Sequence, residues 1–149
     1  TGRLRAGFVN VAVELGRPGI SASFEDVQTV TRALARLDVE FQKENPVTSL
    51  FTNDRNGDLN PEVLGERVLS ALVEFEIPVS RVPELVEALE EAGKTVDTVF
   101  SAALAEPIRP GESEPELIQI LEENGIFYRP NGKTNVGLGK PFLPVEAAS

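Results

Sequence analysis

Residues 60–78, NPEVLGERVLSALVEFEIP, decide how the middle of this chain is expected to fold. Asn60 and Pro61 are residue types that suit the cap and the first turn of a helix. The apolar residues that follow recur at helical spacing and would share one face: Val63, Leu64, Val68, Leu72 and Phe75. Pro78 would end this helix, so the stretch predicts a helix at the centre of the chain.

Three more helices are predicted after this stretch, at residues 83–93, 95–106 and 115–125. The first and last of them, PELVEALEEAG and PELIQILEENG, share seven of eleven residues at a separation of 32 positions. Glutamate and leucine are common in any amphipathic helix, which is one explanation of the similarity. A duplicated helical unit, stacked as in repeat proteins, is the other.

A strand and a first helix are predicted before the central stretch. LRAGFVNVAVEL, from about Leu4 to Leu15, is rich in β-branched and aromatic residues and is followed by a Gly-Arg-Pro-Gly turn. Apolar residues at helical spacing then run from Phe24 to Phe41, with Ser23 and Asp26 placed to form a capping box. Asn45 and Pro46 should stop this helix.

The C-terminal part predicts a β-hairpin, with strands at 126–128 and 134–138 around an Asn131-Gly132 turn. The expected fold class is therefore α+β, with a mostly helical body, an N-terminal strand and a C-terminal β-hairpin. A single domain over residues 1–149 is expected. Its parts would be the strand and first helix at 1–45, the helical body at 60–124, and a basic hairpin and tail at 125–149.

Composition excludes several classes of protein. The 149 residues include no cysteine and no histidine, which excludes thiolate chemistry, disulfides and Ser-His-Asp catalysis. With 41% hydrophobic and 26% charged residues, the chain has the composition of a soluble globular protein. No apolar run approaches the ~18 residues of a membrane span. A cytosolic protein is favoured, and a mature product of processing also fits this sequence.

The net charge of −10 disfavours nucleic acid and anionic membranes as partners. Residues 60–124 carry 15 acidic and 4 basic side chains, whereas both ends of the chain are basic. The candidate partner-binding residues are Tyr128, Arg129, Lys133 and Lys140, which would form a basic hairpin able to meet an acidic surface on a protein partner or a second copy.

A possible metal loop is the sharpest chemical signal in the sequence. Asp54, Asn56, Asp58 and Asn60 alternate as the first four ligands of a calcium loop of the EF-hand type would. Leu59 occupies the sixth loop position, where glycine is required, and Gly65 the twelfth, where a bidentate carboxylate is required. We therefore expect a turn that starts a helix, and no cofactor, with calcium as the alternative.

No catalytic residues are assigned, because no constellation of acid, base and nucleophile stands out. The hypothesis is a non-catalytic protein-protein interaction or assembly component. Helices followed by a hairpin also suggest a nucleic-acid-binding regulator with the outline of a winged helix. A carboxylate-based enzyme using the glutamates of the predicted helices is the third hypothesis.

Overall fold

The computed structural model describes residues 5–17, 19–108, 111, 113–131 and 133–139. These residues form three α-helices: α1 Phe24–Ala35, α2 Val82–Gly93 and α3 Glu116–Glu123. The strands are β1 Phe8–Leu15, β2 Ala22–Ser23, β3 Glu40–Phe41, β4 Phe51–Asn53, β5 Asp58–Leu59, β6 Arg67–Val68, β7 Ala71–Pro78, β8 Val99–Ala105, β9 Arg129–Asn131 and β10 Lys133–Gly139. Short 3-10 turns lie at Thr48–Leu50, Pro61–Val63 and Val79–Arg81.

The main sheet has six strands in the order β3-β7-β1-β8-β10-β9, and every neighbouring pair is antiparallel. Four of its strands, β1, β3, β7 and β8, alternate with α1 and α2 along the chain. Their order is β1-α1-β3-β7-α2-β8, which is a β-α-β-β-α-β pattern. This connection, with β1 and β7 at the centre, is the ferredoxin-like arrangement. The hairpin of β9 and β10 extends the sheet at the edge of β8.

The hydrophobic core lies on one face of this sheet. Every second residue of β1 and β7 points into it, because side chains alternate between the two faces of a strand. All three helices bury side chains in the same core, including Val30 of α1, Leu89 of α2 and Leu117 of α3. The helices therefore cover the core face, and within the described part of the chain no helix packs on the other face of the sheet.

The mostly helical body predicted for residues 60–124 is wrong. Ala71–Pro78 forms the long strand β7, and the residues before it form only a short 3-10 turn and the two-residue strand β6. In β7 the buried residues are Ala71, Val73, Phe75 and Ile77, a period of two. The helical spacing was misleading, since Leu72 and Phe75 point to opposite faces of the sheet.

The helix predicted at 95–106 is also wrong, because Val99–Ala105 forms β8 between β1 and β10. Pairing on both sides satisfies the backbone of this alanine-rich segment and outweighs its helical propensity. A strand therefore separates α2 from α3, and the helical-stack hypothesis fails. The winged-helix outline fails as well, since the hairpin belongs to the main sheet.

Other predictions are confirmed. β1 lies within the predicted N-terminal strand, and α2 and α3 lie in the two similar segments. The Ser23 hydroxyl accepts a hydrogen bond from the Asp26 amide at 3.1 Å, and the capping box is complete. Helix α1 ends earlier than predicted, at Ala35, because Asp38 adopts a positive φ of 52° and Phe41 pairs with Phe75 in the sheet.

The predicted hairpin is present with shifted strands. Its first strand is Arg129–Asn131 rather than 126–128, and its second is Lys133–Gly139. Gly132, predicted in the turn, lies outside the described residues. No helix in the described part of the chain has the length and apolar character needed to cross a bilayer.

Candidate interaction site on the open sheet face

The open face of the sheet combines small side chains with carboxylates. The residues of β1 that point to it are Phe8, Asn10, Ala12 and Glu14, and those of β7 are Leu72, Glu74, Glu76 and Pro78. The small side chains of Ser101, Ala103 and Ala105 continue the face on β8. We refer to the surface of these residues, together with Glu40, as the open sheet face.

The strand register places these residues in rows across the sheet. Glu40 lies beside Glu76, and Glu76 lies beside Asn10. In the next row Glu74 lies beside Ala12, which lies beside Ala103. The small residues make the centre flat, and the carboxylates lie mainly along β7 and its neighbours.

Glu76 is held by Arg5, which precedes β1. The guanidinium contacts the Glu76 carboxylate at 2.7 Å and stacks 4.0 Å from the centre of the Phe8 ring. Only 10% of the Glu76 side chain is exposed. Arg5 therefore offsets the repulsion expected between Glu76 and the neighbouring Glu40, which carry like charges on adjacent strands.

Glu74 is oriented by Asn45, whose side-chain nitrogen donates to the Glu74 carboxylate at 3.0 Å. Asn45 is itself buried, and its side-chain oxygen accepts from the Val47 amide at 2.9 Å. The residue predicted to stop the first helix thus serves to hold an acidic side chain of the sheet. A carboxylate fixed in this way loses little conformational entropy when it meets a cation.

An apolar border lies at one end of the open sheet face. Leu72 is paired with Glu14 in the register and is 37% exposed, although it belongs to a strand. Leu69, which precedes β7, is 86% exposed. These two leucines add apolar surface at this end of the open sheet face.

The predicted metal-loop residues form a turn docked on α1. Asn56 accepts from the Asp58 amide at 3.2 Å, and Asp58 accepts from Arg32 of α1 at 2.7 Å. Asn60 accepts from the Glu62 amide at 3.0 Å and caps a 3-10 turn rather than an α-helix. Asp54 is exposed. The side-chain oxygen atoms of Asn56, Asp58 and Asn60 thus bond to the turn and to α1, and the helix predicted to start here is only a 3-10 turn.

Gly57 brings this turn close to the helix. Its carbonyl accepts from the Thr31 hydroxyl at 2.7 Å, and its φ is +76°. The Leu59 amide donates to the Gln28 side chain at 3.0 Å. Among the described residues, no group of three or more acidic side chains is arranged to hold a metal ion.

The structure does not bring the candidate residues of the hairpin together as a described site. Tyr128 is half-buried and donates to the Glu122 carboxylate of α3 at 3.0 Å. This hydrogen bond, with burial and the charge of Glu122, raises the pKa of Tyr128 above its ordinary value. Arg129 is exposed in β9, Lys133 begins β10, and Lys140 lies outside the described residues.

Sequence reasoning missed the residues of the open sheet face. Their signal was the alternation of apolar and polar residues in FVNVAVEL and ALVEFEIP, which places Glu14, Glu74 and Glu76 opposite the buried positions. In the second segment the helical spacing of other apolar residues obscured it. Comparison of the chain with protein-family models, curated proteins and solved structures gave no match.

Proposed function

We propose that this chain is a non-catalytic protein-interaction component whose open sheet face binds a basic, extended segment of a protein partner. The observation that supports this most is the charge of the face. Its positions on β1, β3, β7 and β8 carry Glu14, Glu40, Glu74 and Glu76 and no basic residue. Arg5 reaches one end from outside the strands, and the register places Arg129 of β9 in the row of Glu74 at the far edge of the sheet. A basic partner would complement this surface.

Spacing supports an extended partner. Glu74 and Glu76 are two residues apart on one strand, about 6.8 Å along it. Basic side chains at every second position of an extended peptide have the same spacing. The small, partly exposed side chain of Ala12 leaves room for a peptide backbone to lie close to the sheet, whereas its neighbour Ala103 is buried.

The test uses two fluorescent peptides of identical composition. One alternates lysine and valine, and the other carries its lysines in one block. We expect the alternating peptide to bind more tightly by fluorescence anisotropy, and its affinity to fall as salt screens the charges.

Variants locate the binding site. Glu14→Gln and Glu74→Gln should each weaken binding by about two- to fivefold, the contribution of one exposed ion pair. Glu90→Gln is the matched control, since Glu90 is exposed on α2, on the other side of the sheet. Absence of binding at low salt, or equal weakening by all three variants, would show that the open sheet face is not the site.

A further inference from the structure

A groove of about 820 Å³ runs between the outer faces of α1 and α2. The groove is lined from α1 and the residues after it by Thr29, Arg32, Ala33, Arg36 and Leu37, and from α2 and the residues after it by Glu84, Glu87, Ala88, Glu91, Ala92 and Thr95. It lies on the helical side of the molecule, across the sheet from the open sheet face.

The two walls of the groove carry opposite charges. Arg32 and Arg36 form the wall on α1, and Glu84, Glu87 and Glu91 form the wall on α2. Arg55 adds to the basic side, since it lines a smaller cleft together with both arginines of α1. Within the chain, Arg32 is paired with Asp58, Glu84 with Arg81 and Glu91 with Lys94. Arg36 and Glu87 are therefore the groove charges that lie outside these pairs.

Helices α1 and α2 run antiparallel, so that basic residues of the α1 wall and acidic residues of the α2 wall lie at the same positions along the groove. Arg81, just before α2, donates to the Leu37 carbonyl, just after α1, at 2.9 Å. The C-terminal end of α1 thus lies beside the N-terminal end of α2. Arg36 consequently lies level with the first turns of α2, which contain Glu84 and Glu87.

A partner of uniform charge would be repelled by one of these walls. The partner must carry one basic row and one acidic row, separated by the distance between two packed helices. A second copy of this chain has that pattern. Rotation about a two-fold axis that runs along the groove places α1 of each copy over α2 of the other at the same height.

We propose that the groove between α1 and α2 is a self-association surface, where two copies pack about this axis with Arg36 of each copy facing Glu87 of the other. The floor allows close packing, because Ala33, Ala88 and Ala92 are small. Helices pack at 8–10 Å when small side chains lie between them. Each favourable charge pair then occurs twice, as in any two-fold interface.

Charge reversal tests the proposal by sedimentation equilibrium at low salt. Arg36→Glu and Glu87→Arg should each weaken self-association by about tenfold or more, since each converts two attractive pairs into two repulsive ones. The double variant exchanges the two signs and should restore association. Rescue of this kind requires that the two positions face each other between copies.

Two controls match these variants. Lys43→Glu and Glu90→Arg make the same changes of charge at exposed positions that do not line the groove, and they should leave association unchanged. Circular dichroism would verify that all variants are folded. A wild-type chain that stays monomeric at high concentration and low salt would overturn the proposal, as would a double variant that associates no better than the single ones.

This inference does not rest on the proposed function of the open sheet face. The peptide assay reports on one side of the sheet, and sedimentation of the Arg36 and Glu87 variants reports on the other. Failure of peptide binding with successful charge rescue would leave the groove proposal standing. Peptide binding without self-association would contradict the groove proposal alone.

Discussion

Replacing Gly57 by alanine should destabilise the protein more than the same change at any open glycine. A Cβ atom at residue 57 would lie 2.4 Å from the Thr31 carbonyl oxygen and 2.7 Å from the Arg32 nitrogen. Both atoms belong to the backbone of α1, which cannot move aside as the end of a side chain can. The turn that contains Gly57 would have to lift from the helix.

The expected loss has two parts. A residue other than glycine in the left-handed region costs roughly 1–2 kcal/mol. Lifting the turn also breaks the hydrogen bonds from Thr31 to Gly57 and from Leu59 to Gln28, each worth about 0.5–1.5 kcal/mol. We therefore expect Gly57→Ala to lower the free energy of unfolding by about 2–5 kcal/mol.

Gly125→Ala separates the two parts. Gly125 has a φ of +65°, similar to that of Gly57, but a Cβ there meets no atom within 4 Å. Gly125→Ala should therefore lower the free energy of unfolding only by the cost of a left-handed backbone, about 1–2 kcal/mol. Urea unfolding of both variants gives the comparison. Equal losses would refute the close docking of this turn on α1.

Three further predictions concern separate features of the chain. Ser23→Ala should lower the free energy of unfolding by about 1 kcal/mol in urea, because it removes the side-chain cap of α1. Ser23→Thr should retain most of the stability, since its hydroxyl can still accept from the Asp26 amide and donate to the Asp26 carboxylate. Tyr128 is the only tyrosine and there is no tryptophan, so near-ultraviolet absorbance reports its titration alone. The pKa of Tyr128 should lie above 10.0 and should be lower in Glu122→Gln. The hydrogen bond to Glu122 stabilises the fold at pH values below the ordinary tyrosine pKa, and this stabilisation is lost as the pH rises through the raised pKa. Thermal melting temperatures should coincide in millimolar calcium and in chelator. A specific calcium site would instead stabilise the fold by about 2.7 kcal/mol at a hundredfold excess of calcium over its dissociation constant. A rise in melting temperature with calcium that Asp54→Ala abolishes would contradict the turn interpretation.

Local signals in the sequence predicted the elements that local interactions determine. The capping box of Ser23 and Asp26 placed the start of α1 correctly, since both partners lie within one turn. Segments 83–93 and 115–125 contain α2 and α3, whose apolar residues have helical spacing and no competing alternation. The turn formed by Asn56 and Gly57 was also readable from residue type.

The sheet could not be read in the same way, because its stability comes from partners distant in sequence. β7 pairs with β1 across more than fifty residues, and β8 is held between β1 and β10. The alanines of β8 have high helical propensity, so only these partners make the segment a strand. The open sheet face is a product of that pairing, which is why its residues were missed.

Chemical-shift mapping by NMR tests the proposed interaction most directly. Titration with the alternating lysine-valine peptide should shift the backbone amide signals of Ala12, Glu14, Glu74 and Ser101, which lie on the open sheet face. The amides of Glu87 and Glu90 on α2 should stay unchanged at the same peptide concentrations. Shifts concentrated on α2, or spread evenly over the acidic surface, would contradict a binding site on the open sheet face.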